Sequence, residues 1–252
     1  MKAISFVKSP ATKLSIVGLL LTPLAACAAD HTHGIQAPAG DVEAAFDIVH
    51  TKITTEGNVA TFHTAVDGTP GSSTPTAHGK LEGADAFVYV WPTTIDPSVV
   101  GFGAGSGILA LAAANHPDFD DTPLYDENGD QNLNNDGGHW HSHWVVLSPN
   151  EACGEGALSV VDIPEGTNPP LPATWPGLPM LLDSPRWQPV FDKDSVNIKV
   201  PFADIGTVNQ ANYDGVTAGL RVSKNLHAPL FCVVNVFDVA SGDLSLPGKV
   251  SH

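Results

Sequence analysis

The stretch Phe46-Asp47-Ile48-Val49-His50-Thr51-Lys52-Ile53-Thr54-Thr55-Glu56-Gly57-Asn58-Val59-Ala60-Thr61-Phe62-His63-Thr64 carries the fold class of this chain. Phe46, Ile48 and His50 alternate with Asp47, Val49 and Thr51, and Ala60, Phe62 and Thr64 alternate with Val59, Thr61 and His63. A period of two places successive side chains on opposite faces of a strand. Glu56-Gly57-Asn58 between the two runs is a hairpin signal. If Glu56-Gly57 forms the turn, His50 lies opposite His63; if Gly57-Asn58 does, the pairing shifts but both imidazoles stay on one face.

Further strand-like runs, β-branched or aromatic and bounded by Gly, Pro, Asn and Asp, cover 86–91, 140–147, 157–163, 196–202, 216–222 and 230–239. Many strands joined by turn-rich connections predict an all-β protein, a β-sandwich or barrel-like body with long irregular loops and at most one short helix. The expected helix is Gly105–Asn115, GSGILALAAAN. Two irregular segments are long for a compact domain: an acidic loop from His116 to Gly138, and Pro164–Pro189 with eight prolines, which cannot be a central strand. Such loops carry function or strap an otherwise exposed sheet edge.

At the start of the chain, Lys2, Lys8 and Lys13 precede the apolar run Leu14–Leu21, which is too short for a membrane span and is laid out as a signal peptide. Leu24-Ala25-Ala26-Cys27 resembles the lipobox of bacterial lipoproteins, which implies lipidation of Cys27; Ala28 after it resembles the pattern sent to the outer membrane. The expected organisation is a signal peptide over 1–26, a lipidated tether over 27–41 and a single β domain over 42–252. It places the protein at the cell envelope, on the periplasmic or the surface side, touching the membrane through its lipid anchor only. Cys153 and Cys232 then remain in an oxidising compartment, where such a pair becomes a disulfide.

The whole chain has 11 Lys and Arg against 27 Asp and Glu, for a net charge of −16. That balance repels phosphate backbones, which excludes nucleic acid as a partner, and attracts cations. The segment Gly138-His139-Trp140-His141-Ser142-His143-Trp144-Val145-Val146-Leu147 offers cations a site. On a strand His139, His141 and His143 share one face and Trp140, Ser142 and Trp144 the other. Neighbouring imidazoles on that face, about 6.7 Å apart, can close on one ion, whereas His139 and His143, about 13 Å apart, cannot comfortably share it. His141 with one neighbour, plus ligands from elsewhere, is therefore the expected core of the site. The face continues into Val145 and Leu147, so it enters the interior and desolvates the imidazoles, favouring their neutral, ligating form. His50, His63, His116 and His78 are the further candidates. Methionine occurs only at Met1 and Met180, which excludes a thioether-rich Cu(I) site, and imidazole ligation leaves copper and zinc as leading ions.

Upstream, Asp126-Glu127-Asn128-Gly129-Asp130-Gln131-Asn132-Leu133-Asn134-Asn135-Asp136 begins D-x-N-x-D and resembles the calcium loops of EF-hands and thrombospondin repeats. The resemblance implies calcium held by Asp126, Asn128, Asp130 and Asn132, with Asp136 in place of the closing Glu; Gln131 stands where the EF-hand has Gly. Histidines beside tryptophan, an oxygen-rich calcium loop and an acidic exported β body are together similar to the copper-repressible, surface-associated copper-binding proteins of methane-oxidising bacteria. That likeness implies copper on His139, His141 or His143 with an oxidised Trp140 or Trp144 nearby. His141-Ser142-His143-Trp144 is also similar to the H-x-H-W strand of α-type carbonic anhydrases, which implies catalytic zinc on two histidines and a third.

Three functions follow. The first is a non-enzymatic lipoprotein that binds copper or zinc for acquisition or buffering at the envelope. The second is a zinc hydrolase or hydratase whose metal keeps an open position for an ionised water. The third is a surface module with calcium as its only ion. No G-x-S-x-G motif supports serine catalysis.

Overall fold

A computed structural model of the chain describes residues 33–76, 85–117, 121–133, 135, 137–223, 227 and 229–252. Cys27, His78 and Asp136 lie outside the described residues, as does the expected signal peptide. The described residues belong to one compact unit, built from β1 (Ile35–Gln36), β2 (Ile48–Glu56), β3 (Val59–Val66), β4 (Asp85–Pro92), β5 (Ile108–Asn115), β6 (His141–Pro149), β7 (Leu158–Val160), β8 (Leu182–Asp183), β9 (Val190–Asp192), β10 (Ser195–Pro201), the one-turn helix α1 (Ile205–Val208), β11 (Asn212–Tyr213), β12 (Val216–Val222), β13 (Phe231–Val239) and β14 (Gly248–Lys249).

The opening hairpin forms as its alternation dictates. Glu56 pairs with Val59, so Gly57-Asn58 is the turn, and Gly57 has φ +59°, a left-handed value that glycine adopts without a side-chain clash. Sheet one runs β1-β2-β3-β10-β9, all antiparallel. The tether expected over 27–41 ends earlier than that, because Ile35 pairs with Thr51 and is 1% exposed. Hydrogen bonding and burial of Ile35 thus bring residues before 42 into the folded body.

The second sheet, β5-β4-β12-β13-β7-β6, returns to β5 and closes a six-stranded barrel, with β8 added along the upstream part of β6. The all-β expectation is met, but the helix expected at Gly105–Asn115 is a strand. β5 lies between β4 and β6 with both edges paired, and the only described α-helix is α1, elsewhere. Alanine's helix propensity is a weak local preference, and two flanking strands override it.

Alternation on the barrel strands sends side chains to two different interiors. Outward-facing Trp91, Leu109, Leu111, Trp144 and Val146 pack on Ile53, Phe62 and Ile198 of sheet one to form the main core. Phe62 meets Trp91 and Trp144 edge-on, with ring centroids 6.0 and 5.7 Å away, an arrangement that aligns the positive ring edge with a negative face. Inward-facing Ala110, Val145, Leu147, Val160 and Phe231 form a second cluster inside the barrel, continued by Val88, Ala114, Val216 and Ala218. β7 meets β13 at a single pair, Cys232–Ser159, and a disulfide from Cys153 to that same Cys232 fastens this narrow junction. The pairing of the two cysteines is as the sequence predicts.

Candidate metal centre

The inward face of β6 reads His141, His143, Val145, Leu147, and the neighbouring inward face of β5 reads Ala110, Ala112, Ala114 and, one step past the strand, His116. Ala114 pairs with His141 and Ala112 with His143, so alanines leave room for the imidazoles across the strand boundary. His116 and Gly138 close the neck of the acidic loop. Gly138 N–H donates to the His116 carbonyl (2.8 Å), and Asn115 Nδ2 donates to the Gly138 carbonyl (2.5 Å). The loop thereby folds back over the end of β5 and β6 and delivers Asp121 and Glu127.

Four side chains converge there. His116, Asp121, His141 and His143 each offer one ligand atom, all within 4.8 Å of one another, and each residue is at most 4% exposed. Asp121 Oδ2 lies 3.1 Å from His116 Nε2, 3.1 Å from His143 Nε2 and 3.8 Å from His141 Nε2. A tetrahedral ion with ligands at 2.0–2.1 Å would separate its ligand atoms by about 3.3–3.4 Å, so the spacing suits one ion. Among the described residues this is the one group of three or more such side chains.

The outer nitrogens show which tautomer is present. His116 Nδ1 lies 3.0 Å from the Pro117 carbonyl, and His141 Nδ1 lies 3.0 Å from the His139 carbonyl and 3.1 Å from Glu127 Oε2. Carbonyls and carboxylates only accept, so both Nδ1 atoms carry hydrogen. His143 Nδ1 is 3.1 Å from Ser184 Oγ, whose own hydrogen goes to the Asp121 carbonyl, so here too Nδ1 donates. All three rings are thus oriented from outside with Nε2 turned inward, the arrangement in which second contacts aim histidines at a metal. Inside the cluster, His141 Nε2, His143 Nε2 and Asp121 Oδ2 are buried and, among the described residues, find only one another and His116 as near polar neighbours. Buried polar atoms in that condition are costly unless something else satisfies them.

The electrostatics agree. Burial disfavours the Asp121 carboxylate, but the His116 and His143 imidazoles outweigh it and hold Asp121 well below the ordinary range. Burial also disfavours a charged His141, yet Asp121 and Glu127 on its two nitrogens outweigh that and raise it to about 10. At His143 burial prevails over Asp121 and lowers the imidazole, keeping it neutral. The cluster therefore holds an ionised Asp121 beside a protonated His141, around the point where a cation would sit.

Of the sequence-derived metal candidates, the structure brings together His141, His143 and His116. His139 stays outside: it is exposed, precedes β6, and contributes only its carbonyl. With Gly57-Asn58 as the turn, His63 pairs with Lys52 and His50 with Ala65, so the two imidazoles are diagonal neighbours on sheet one with centroids 5.5 Å apart; His63 bonds Asn197 Oδ1 at 2.8 Å, and neither belongs to the cluster. Sequence reasoning missed Asp121, Glu127 and Ser184. Asp121 stands five residues after His116 in the loop already marked as acidic, but the strand character of β5, which would have aligned His116 with the alanines, was hidden by its composition.

Trp144 lies on the other face of β6 and Trp140 just before that strand. Trp144 is in the main core, while Trp140 packs on Tyr89 and Phe191 with centroids 5.3 and 5.2 Å away. In the acidic loop, Asp126 Oδ1 accepts from Gly129 N–H (2.5 Å), Asn128 Oδ1 from Asp130 N–H (2.8 Å) and Asp130 Oδ1 from Asn132 N–H (2.9 Å). Gln131 takes φ +71°, the left-handed conformation that the EF-hand gives to Gly. Glu127, between the expected calcium ligands, points away to His141 and is held by Thr122 Oγ1 at 2.6 Å. Comparison with family models, with curated proteins and with solved structures finds no match to this chain.

Proposed function

We propose that this chain is an envelope lipoprotein that binds one transition-metal ion, zinc or copper, through His116, Asp121, His141 and His143. The observation that carries the reading is the convergence of three inward Nε2 atoms and one carboxylate oxygen within 4.8 Å, in a buried pocket whose outer nitrogens are already engaged. Three imidazoles and a carboxylate are a borderline-to-hard donor set suited to Zn(II) and Cu(II). Four protein ligands fill a tetrahedral shell and leave no position for a reactive water, which supports capture or buffering over hydrolysis. The Leu24–Cys27 lipobox supports anchoring at the envelope, and the loop around Asp126, Asn128 and Asp130 is read as a calcium brace that holds Glu127 against His141.

Metal analysis of the full chain after zinc or copper loading and gel filtration tests this reading. One equivalent is expected in the parent and in His50→Ala, with loss of tight binding in His143→Ala and Asp121→Ala. Equal retention by all four proteins would refute it. For the anchor, Cys27→Ser should abolish lipid labelling of the expressed protein, and unchanged labelling would reject the lipobox.

A further inference from the structure

A six-stranded barrel is narrow enough for inward side chains to fill it, as small barrels normally do. This one is not filled. Its inward positions include Ala86 on β4, Ala112 and Ala114 on β5 and Ala218 on β12, and a cavity of about 180 Å³ remains among them. Strands favour larger β-branched residues, so alanine at these places serves neither strand formation nor packing.

The walls decide what the space can hold. Apart from His116, Asp121 and His143, every described residue lining it is apolar, among them Val88, Leu147, Val216 and Phe231. Water needs two to four polar partners to be stable in such a place, and an apolar cavity of about 150 Å³ is known to stay dry and to take up benzene. Among the described residues no Lys or Arg lines the wall, so none of them would neutralise an anion beside Asp121.

The cavity also has a cover and a way out. Leu244 lines it and packs with the cluster of Val216 and Ala218, although its backbone has φ +56°, a left-handed value that leucine rarely adopts and that surroundings must enforce. Val236 lines the cavity too and is 56% exposed, which marks an opening to solvent.

We infer that the barrel interior is a binding site for one compact, uncharged apolar molecule of about one aromatic ring, covered by Leu244 and seated against the His143 and Asp121 wall. The inference rests on the metal reading only for what lies behind that wall; the cavity belongs to the barrel itself. A small hydrocarbon held there would touch the ligand shell of the ion, so its presence would be reported by a metal with spectroscopic transitions.

The test uses toluene and the full chain, in metal-free and zinc-loaded form, with binding followed by ligand-observed NMR and zinc stoichiometry measured in parallel. Saturable one-to-one toluene binding is expected in both forms. Ala218→Leu should weaken it by about tenfold or more by filling the space, with one zinc still bound. Leu244→Gly should leave zinc binding intact and speed toluene exchange, because the cover is removed and the left-handed backbone is relieved. Val88→Phe serves as a second filling variant if Ala218→Leu does not fold. Absence of saturable toluene binding to the parent, or undiminished binding in a folded filling variant, overturns the inference. Toluene binding without zinc binding would leave the cavity site standing and reject the metal centre, and the reverse result would do the opposite.

Discussion

Titrating the metal-free protein with zinc at pH 7.5 should liberate a proton from His141 for each ion bound. Its imidazole sits between Glu127, 3.1 Å from Nδ1, and Asp121, 3.8 Å from Nε2. Burial opposes the charge, but the two carboxylates prevail and hold the group at about 10, so essentially every molecule carries this proton at pH 7.5. His143 is lowered by burial and arrives neutral, and Asp121 is held well below the ordinary range and arrives ionised, so neither adds a proton. Metal must displace the Nε2 proton of His141, which makes apparent affinity rise about tenfold for each pH unit between 7 and 9 and level off above 10. Calorimetric titrations in two buffers of different ionisation enthalpy give the proton count directly. The same group sets the stability of the metal-free fold. Its value is raised above the unfolded 6.5, so its contribution is complete below pH 6.5 and disappears as pH rises through about 10. Urea midpoints of the metal-free protein should therefore fall across that window, while the zinc-loaded protein stays level. A proton count near zero at pH 7.5, or an affinity independent of pH between 7 and 9, would refute the reasoning.

Glu127→Gln should lower zinc affinity by about 10- to 100-fold without removing the site, since it loosens the orientation of His141 but deletes no ligand; competition against a chromophoric chelator measures this, and an unchanged constant would show that Glu127 does not position the ring. Replacing Cys153 and Cys232 together by Ala should cost about 4–5 kcal/mol in urea unfolding, the chain-entropy value for a 79-residue separation, because the β7–β13 junction they fasten has only one backbone pair to replace them. A loss below about 1 kcal/mol would place the stabilisation elsewhere. Trp144→Ala should destabilise the fold by about 3–5 kcal/mol while zinc stoichiometry stays at one, because this ring packs on Phe62 in the main core and not on the imidazoles. Loss of metal with an intact fold would contradict that placement.

Local chemistry accounts for much of what was readable in advance. A period of two and a Gly57-Asn58 turn determine the β2–β3 hairpin, because each residue alternates faces whatever lies beyond it. The same pleat determines that His141 and His143 share a face and that His139 is too far away to join them both, and Cys153 and Cys232 form the bridge expected of that pair. Tertiary structure decided the rest. Residues 108–115 look helical by their leucine and alanine content, and only the need for small side chains inside a closed barrel explains those alanines on a strand. With that strand unrecognised, His116 cannot be aligned with His141. Asp121, Glu127 and Ser184 enter the site because the acidic loop is pinned at His116 and Gly138 and because the proline-rich segment lays β8 along β6. No spacing along the chain encodes those meetings. Ligands from distant segments become neighbours only when the barrel closes, since it is closure that brings separate strands and returning loops around one buried point.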